Sequence, residues 1–289
     1  MKIKILIPIY NDWQSVFKLL ENINSEVSNL GHEFSVIIVN DASTESKPEL
    51  TTNLDNLNSI KIINMRENRG HARCNATGLK HIFENEEFDY VIPMDGDGED
   101  RPEEIKQLVD NLNYHPDKPI VGERIKRSEG IFFKLCYFIH KLITYTFTGQ
   151  SIKFGNYSCL PKSIVERMIN EKATWSSFSG ALAKVSKDRA TIPSERGSRY
   201  FGPSKMSFKN LIAHSLSIIS VFKKSVLLRS VLFLLVYMFL IHQNISFIML
   251  IPAMLVLALI TSVFVVSGRE NLDELNNSLE NVNNIENLK

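Results

Sequence analysis

What the sequence lacks narrows the field first. No G-x-G-x-x-G follows the first apolar run, so a dinucleotide-binding Rossmann enzyme loses its main support. No G-x-x-x-x-G-K-[ST] occurs either, which removes a P-loop phosphotransferase. Cysteine is scarce. Cys74, Cys136 and Cys159 have no metal-ligand spacing, and their odd number does not suggest a disulfide framework. Reduced thiols on the cytosolic side fit best. Neither charge is in excess: the formal net charge is +1, which argues against a nucleic-acid partner held by bulk charge. The N-terminus enters a strand directly, so no signal peptide is expected. At 289 residues the chain fits one large domain or two small ones.

What is present centres on V91-I-P-M-D-G-D-G-E-D-R-P-E103. An apolar strand runs into Asp95, Asp97, Glu99 and Asp100, and Pro102 then opens a helix. Spaced carboxylates suit a hard divalent cation, which takes oxygen ligands and bridges them to substrate phosphates. The competing structural reading is an acidic turn with Asp100 as N-cap before Pro102. The rest of the chain decides between them. Apolar runs at 2–10, 34–40, 60–65, 88–94 and 120–124 read as strands. Helical patterns occupy 14–28, about 68–85 and 102–113. The alternation implies an α/β fold with a mostly parallel sheet covered on both faces. Ligands in such folds sit beyond the carboxyl ends of the strands. Asp12, Asp41 and the 95–100 acids all fall there, and that convergence favours a metal site over a cap.

After 124 the character changes. Residues 124–147 are basic, then strongly apolar, with Lys134, His140 and Lys141 interrupting a clean span. A helix over about 130–147 lying in the membrane interface fits that mixture. Residues 211–224 read as a juxtamembrane amphipathic helix. Two apolar segments follow, 225–241 and 245–266, the second without a charge and long enough to span. Arg229, near the start of the first, is placed to snorkel. The short linker makes them a hairpin, 225–267, with both ends on one side. Lys205, Lys209, Lys223, Lys224 and Arg269 flank that side, which is therefore expected to be cytoplasmic. The polar tail 268–289 is expected as a solvated helix, with an oligomerising role for its leucines left open.

P8-I-Y-N-D12, V39-N-D-A-S43, N68-R-G70 and D95-G-D-G-E-D-R-P-E103 resemble, in order and spacing, family 2 glycosyltransferases of the GT-A fold. The nearest resemblance is to the dolichol-phosphate mannose synthase branch and its bacterial polyprenyl-phosphate relatives. F154-G-N-Y-S-C-L-P-K162 resembles the acceptor-side segment of that branch, and R196-G-S-R-Y-F-G-P-S-K-M206 its R-x-x-G-x-S-K element. The resemblance covers residues 1–210. It departs at Asp12, where the family often has Glu, and at Glu99, where the branch usually has Gln.

The resemblance implies a Rossmann-like, mixed sheet and a membrane-anchored, inverting, metal-dependent hexosyltransferase of the inner (cytoplasmic) membrane. The donor is a UDP- or GDP-sugar, and the acceptor a polyprenyl phosphate serving cell-surface glycan synthesis. It assigns Pro8, Tyr10, Asp12, Asp41, Asn68, Gly70 and Asp95 to the nucleotide sugar. Asp97 and Glu99 are the expected ligands of Mg²⁺ or Mn²⁺. Arg124, Asn156, Ser158, Arg199, Ser204 and Lys205 are assigned to the acceptor phosphate, and Asp95, Asp97, Arg124, Arg199 and Lys205 form the catalytic set. A lipid phosphate is already an anion, with a second pKa of about 6 by analogy with phosphorylated side chains. It needs cations rather than a base. Two alternatives stand beside this reading. One is transfer to a glycan hydroxyl with Asp100 as base; the other is a non-catalytic, membrane-anchored nucleotide-sugar binder. A homo-oligomer is left open.

Overall fold

The computed structural model describes residues 1–126, 131–203 and 207–289. The N-terminal half alternates as the apolar spacing predicts. Its elements are β1 (Lys2–Ile9), α1 (Trp13–Val27), β2 (Glu33–Asn40), β3 (Ser59–Met65), α2 (His71–Asn85), β4 (Tyr90–Pro93), α3 (Ile105–Leu112) and β5 (Ile120–Lys126). Strands β3, β2, β1 and β4 lie side by side and parallel. Successive strand residues point to opposite faces, and here both faces are buried. Ile3, Ile5 and Ile7 join Leu19, Leu20 and Leu108 on one side. Leu6, Ile37 and Val39 join Leu79 and Ile82 on the other. That is why these strands read as continuous apolar runs rather than alternating ones. Helix α2 sits close to the sheet at Gly78, where a Cβ would stand 2.3 Å from Leu6 Cδ1.

The second half widens the sheet. Helix α4 (Ile131–Thr148) leads to β6 (Phe154–Pro161), which runs antiparallel between β4 and β5. Helices α5 (Lys162–Ile169) and α6 (Phe178–Val185) follow, then β7 (Ala190–Glu195), parallel to β5. With β8 (Val282–Asn287) from the tail, the completed order is β7-β5-β6-β4-β1-β2-β3-β8, a mixed sheet with a parallel centre. Cys74 and Cys159 are free and buried, while Cys136 lies among side chains outside the description.

Between β7 and β8 the chain leaves the sheet. Helices α7 (Phe208–Ser220), α8 (Lys223–Ile241) and α9 (Phe247–Ser267) pack together and against α4. At 1.5 Å per residue, α8 and α9 are roughly 29 and 32 Å long, matching a hydrocarbon core of about 30 Å. Their large side chains face outward: Leu228 is 73% exposed, Phe239 74% and Ile248 77%. Two buried helices of a soluble domain would show the reverse. Helix α4 carries the same outward character at Phe138, Leu142 and Tyr145. Arg229, expected to snorkel, instead donates to the carbonyl of Thr146 at 3.1 Å in the last turn of α4. Helix C-termini leave such carbonyls unpaired and favour a cation.

The tail corrects the expectation of a solvated helix. Only Leu272–Asn276 (α10) is α-helical, and Val282–Asn287 forms β8, antiparallel to β3. The leucine spacing is genuinely helical for one turn and seats Leu275 beneath Trp175 and Ala76. Beyond it, the open edge of β3 offers unpaired backbone groups that a strand can satisfy. The hairpin is thus bracketed by two segments of one sheet. Its ends are also joined: Glu270, 2% exposed, lies 3.5 Å from Lys223 and 3.8 Å from Lys172.

Candidate active site

Strands β1 and β2 end level, with Ile9 opposite Asn40. The turn after β1 passes through Asn11, whose φ of 49° is a left-handed conformation that asparagine tolerates. Its side-chain oxygen accepts from the N–H groups of Thr44 and Glu45 at 2.8 and 3.1 Å, and its own N–H donates to Ser43 Oγ at 2.8 Å. Asn11 therefore laces the β1 turn, which carries Asp12, to the loop after β2, which carries Asp41. Pro8 is buried within β1, while Tyr10 stands at the exposed strand end.

Asp41 is buried, and both of its oxygens are engaged. The backbone N–H groups of Arg69 and Gly70 donate to them at 2.7 and 2.8 Å. Asn68 Nδ2 donates to the Asp41 carbonyl at 3.2 Å. Gly70 has φ +89°, a region closed to most side chains, which lets the chain turn its N–H inward. The three residues read from the sequence as one constellation are thus bonded to one another.

Beyond β4 the acids separate by partner. Asp95 Oδ1 receives His71 Nε2 at 3.0 Å and Asn156 Nδ2 at 3.2 Å. Desolvation favours its neutral form, but His71 outweighs that and holds the carboxyl well below the usual range. Desolvation likewise opposes a charged His71, and Asp95 wins there too, raising the imidazole pKa. Asp100 is not the helix cap. It is 5% exposed, accepts the Asp95 N–H at 2.9 Å and lies 3.6 Å from Arg124. Burial first, and then the Asp95 charge, push its pKa up. Burial and Asp95 also raise Asp97, to about 6.

A loop from the end of β7 lies over these acids. Arg199 Nη1 donates to Asp97 Oδ2 at 2.8 Å, and Nη2 pairs with Asp12. Arg196 pairs with Glu99. Backbone N–H groups of Gly197 and Tyr200 donate to the carbonyls of Glu99 and Asp97 at 2.9 and 3.0 Å. The Tyr200 ring lies so close to Gly98, which has φ +90°, that a Cβ there would approach it to 2.5 Å. Glu104 anchors the loop's root, accepting from Ser194 Oγ and the Glu195 N–H at 2.7 and 2.8 Å.

Most of the expected residues therefore converge: Asp12, Asp41, Asn68, Gly70, Asp95, Asp97, Glu99, Arg124, Asn156 and Arg199 share one strand-end pocket through the contacts above. Ser158 does not reach it. It is fully buried, and its hydroxyl donates to the Asn156 carbonyl at 2.8 Å. Ser204 and Lys205 lie outside the described residues. Sequence reasoning missed Asn11, His71, Arg196, Tyr200 and Glu104. An Asn after a strand, a His following Gly70 and the 196–206 segment, which contains Arg196 and Tyr200, were the available signals; nothing in the spacing marked Glu104.

Among the described residues no three His, Cys, Asp or Glu side chains stand in a ready metal-binding group. The donor chemistry still fits a hard divalent ion. The expected ligands Asp97 and Glu99 are carboxylates that pair with Arg199 and Arg196, and Asp95 crowds Asp97 enough to raise it; such ions are often bound by one or two carboxylates plus substrate phosphates.

Residues 4–165 match the profile of Glycosyl transferase family 2, a span holding every acid of the pocket. The chain belongs to glycosyl transferase family 2. Among curated family relatives, the undecaprenyl-phosphate 4-deoxy-4-formamido-L-arabinose transferases of Salmonella paratyphi B and Salmonella newport are each 30% identical over 221 residues. Those alignments cover 73% of this chain and 64% of the relative, so the chain spans under two thirds of their length. Solved structures share the fold. Glucosyl-3-phosphoglycerate synthase from Mycobacterium tuberculosis, in complex with Mn²⁺, UDP-glucose and phosphoglyceric acid, superposes with TM-score 0.56 at 12% identity, over 78% of this chain and 79% of that one. S. aureus TarS 1–349 with UDP-GlcNAc gives 0.52 at 15% identity, over 96% and 87%.

Proposed function

We propose that this family 2 glycosyl transferase moves a hexose from a UDP- or GDP-sugar to a polyprenyl phosphate at the cytoplasmic face of a membrane, with inversion. One observation carries the reading. The basic loop that covers the strand-end acids runs directly into the helices with outward apolar faces. The printed names of the relatives, transferases to undecaprenyl phosphate, support the acceptor. The Mn²⁺ and UDP-glucose complex of the mycobacterial synthase supports the donor class and a divalent ion.

In this reading Asp12, Asp41, Asn68 and Gly70 shape the nucleoside pocket, with Pro8 and Tyr10 at its strand end. Asp95, oriented by His71 and Asn156, faces the ribose. Asp97 and Glu99 would hold Mg²⁺ or Mn²⁺, which supplies charge neutralisation for the departing diphosphate. Arg199 and Arg124 hold phosphate oxygens, for which a planar guanidinium is suited, together with Lys205 and Ser204. Ser158 acts only through the backbone of Asn156. The hairpin supports the cytoplasmic orientation: both of its ends return to the sheet, and Lys223 and Arg269 flank that side.

The competing acceptor, a glycan hydroxyl, would need a base. Asp100 is pushed up in pKa, but it is buried against Arg124 and the Asp95 N–H, out of reach of a hydroxyl. The test is radiolabelled transfer from a panel of nucleotide sugars to undecaprenyl phosphate, with and without Mg²⁺ or Mn²⁺. Label in the solvent-extractable lipid is expected for one sugar. No label with any of them would overturn the reading.

A further inference from the structure

The C-terminal strand contributes to more than the sheet edge. Glu286 on β8 accepts from Asn64 Nδ2 at 2.7 Å. Asn64 Oδ1 accepts from Asn40 Nδ2 at 2.8 Å, and Asn40 Oδ1 accepts from the Ser43 N–H at 3.0 Å. Ser43 Oγ in turn takes the Asn11 N–H at 2.8 Å. Asn64 and Asn40 are register partners on β3 and β2. An unbroken series of bonds therefore crosses the strand ends, from β8 to the two turns that carry Asp41 and Asp12.

The series has a direction, set by an acceptor at Glu286 and a donor at the Ser43 N–H. A carboxylate only accepts. Asn64 must therefore turn its NH₂ outward and its oxygen inward, toward Asn40. Asn40 must then turn its NH₂ toward Asn64 and its oxygen toward the loop, which is the orientation that can hold the Ser43 N–H. The Ser43 N–H, which can only donate, demands the same sense from the inner end; without an acceptor at 286 the Asn64 NH₂ is left unpaired and the series loses its outer anchor. A second contact reaches the neighbouring loop: the Asn281 carbonyl accepts the Arg66 N–H at 2.8 Å, and its amide donates to the Glu67 carbonyl at 3.3 Å. Arg66 and Glu67 lead into Arg69 and Gly70, which hold the Asp41 carboxylate. Both loops that fix Asp41 are thus fastened to chain lying beyond the hairpin.

We infer that β8 completes the nucleotide-sugar pocket, with Glu286 as a positioning residue that orients the 41–45 loop through Asn64 and Asn40. This rests on the reading of the strand-end pocket as the donor site. Lys47 pairs with the other Glu286 oxygen, so it tests whether the ion pair or the relay matters.

The experiment uses the full chain in detergent or lipid discs, comparing Glu286→Ala, Glu286→Gln, Lys47→Ala and Asn40→Leu. Two readouts are taken: amide hydrogen exchange at residues 43–45, and steady-state transfer from the nucleotide sugar used by the wild type to undecaprenyl phosphate. In Glu286→Ala, exchange at Ser43 should rise about tenfold, as expected for losing one hydrogen bond. The donor KM should rise by about fivefold or more, with kcat and the lipid KM within about twofold, because only donor binding is disturbed. Glu286→Gln keeps an acceptor oxygen and should restore both readouts, and Lys47→Ala should leave them unchanged. Asn40→Leu breaks the relay inside β2 and should reproduce the KM rise even if Glu286→Ala does not fold. Unchanged Ser43 exchange and donor KM would overturn the inference. So would a fall in kcat with no change in donor KM. If the wild type transfers no sugar at all, the donor reading fails separately, and exchange at Ser43 still decides the relay.

Discussion

Arg199 stands 102 residues beyond Asp97 in the chain, and its Nη1 lies 2.8 Å from Asp97 Oδ2. The same guanidinium pairs with Asp12. One cation thus joins the end of β1 to the acid segment after β4. Removing it should separate two effects. Arg199→Ala frees Asp97, so Mn²⁺ titration of the enzyme without substrates should show tighter binding, by about tenfold or more because the competing ion pair is largely buried. Transfer should nevertheless fall on the order of a hundredfold, the usual effect of losing one charge-stabilising group. Arg199→Lys keeps the charge but not the fork, and should recover only part of the activity. Equal or higher activity in the alanine variant would contradict the phosphate role.

Asp97→Asn preserves shape and removes a carboxylate. Metal-dependent transfer should drop by about a thousandfold, as for other groups that stabilise developing charge. Extraction of the protein with membranes should be unchanged, since α8 and α9 are untouched. Wild-type activity in this variant would mean that Asp97 does not hold the ion.

Gly98 meets two demands at once, a φ of +90° and contact with the Tyr200 ring. Gly98→Ala should cost about 1–3 kcal/mol in backbone strain and push Tyr200 away. The 196–201 loop should then gain protease sensitivity while transfer falls. Pairing Gly98→Ala with Tyr200→Ala should relieve the clash but not the strain. Stability would recover in part, and a melting curve distinguishes the two contributions.

Glu86 gives a pH dependence remote from the chemistry. Burial alone would raise its pKa, but hydrogen bonds from Lys4 and Lys61 outweigh this and set it below the ordinary 4.5. A carboxyl with a depressed folded-state pKa contributes stability above its unfolded value, and that contribution is lost as pH falls through the folded value. The melting temperature should therefore decline below about pH 4.5. Glu86→Gln should flatten that slope. Glu86→Ala leaves the Lys4 amine, at 11% exposure, without its acceptor, and should cost about 1–3 kcal/mol at neutral pH.

The parallel centre and the strand-end acids were legible because each strand is buried on both faces and each acid follows an apolar run. The two long apolar helices were legible for the same reason, an uninterrupted apolar length. Strands β6 and β7 were not read as strands. Glycine, asparagine and serine in F154-G-N-Y-S-C159 and the proline in A190-T-I-P193 blur any period. Ser158 was misplaced because a motif lists neighbours without saying how deep each one lies. Asn156 and Ser158 share a parity in β6, but Ser158 lies two residues deeper along the strand, where it is fully buried and donates back to the Asn156 carbonyl. The Arg196 and Arg199 pairings join residues about a hundred positions apart, a distance no local pattern encodes. The tail misled through its leucines, since one turn of true helix precedes the strand.

The order of elements also has a consequence for biosynthesis. On the ribosome, β8 emerges only after the apolar hairpin has been made. Until then β3 presents an open edge and the 41–45 loop lacks its tether. The strand-end loops can reach their final, tethered arrangement only after the two apolar helices have left the ribosome. A chain arrested before the hairpin would carry all of the family's acids and still hold an unfinished pocket. In this protein, the order of translation itself delays completion of this end of the sheet until the apolar helices exist.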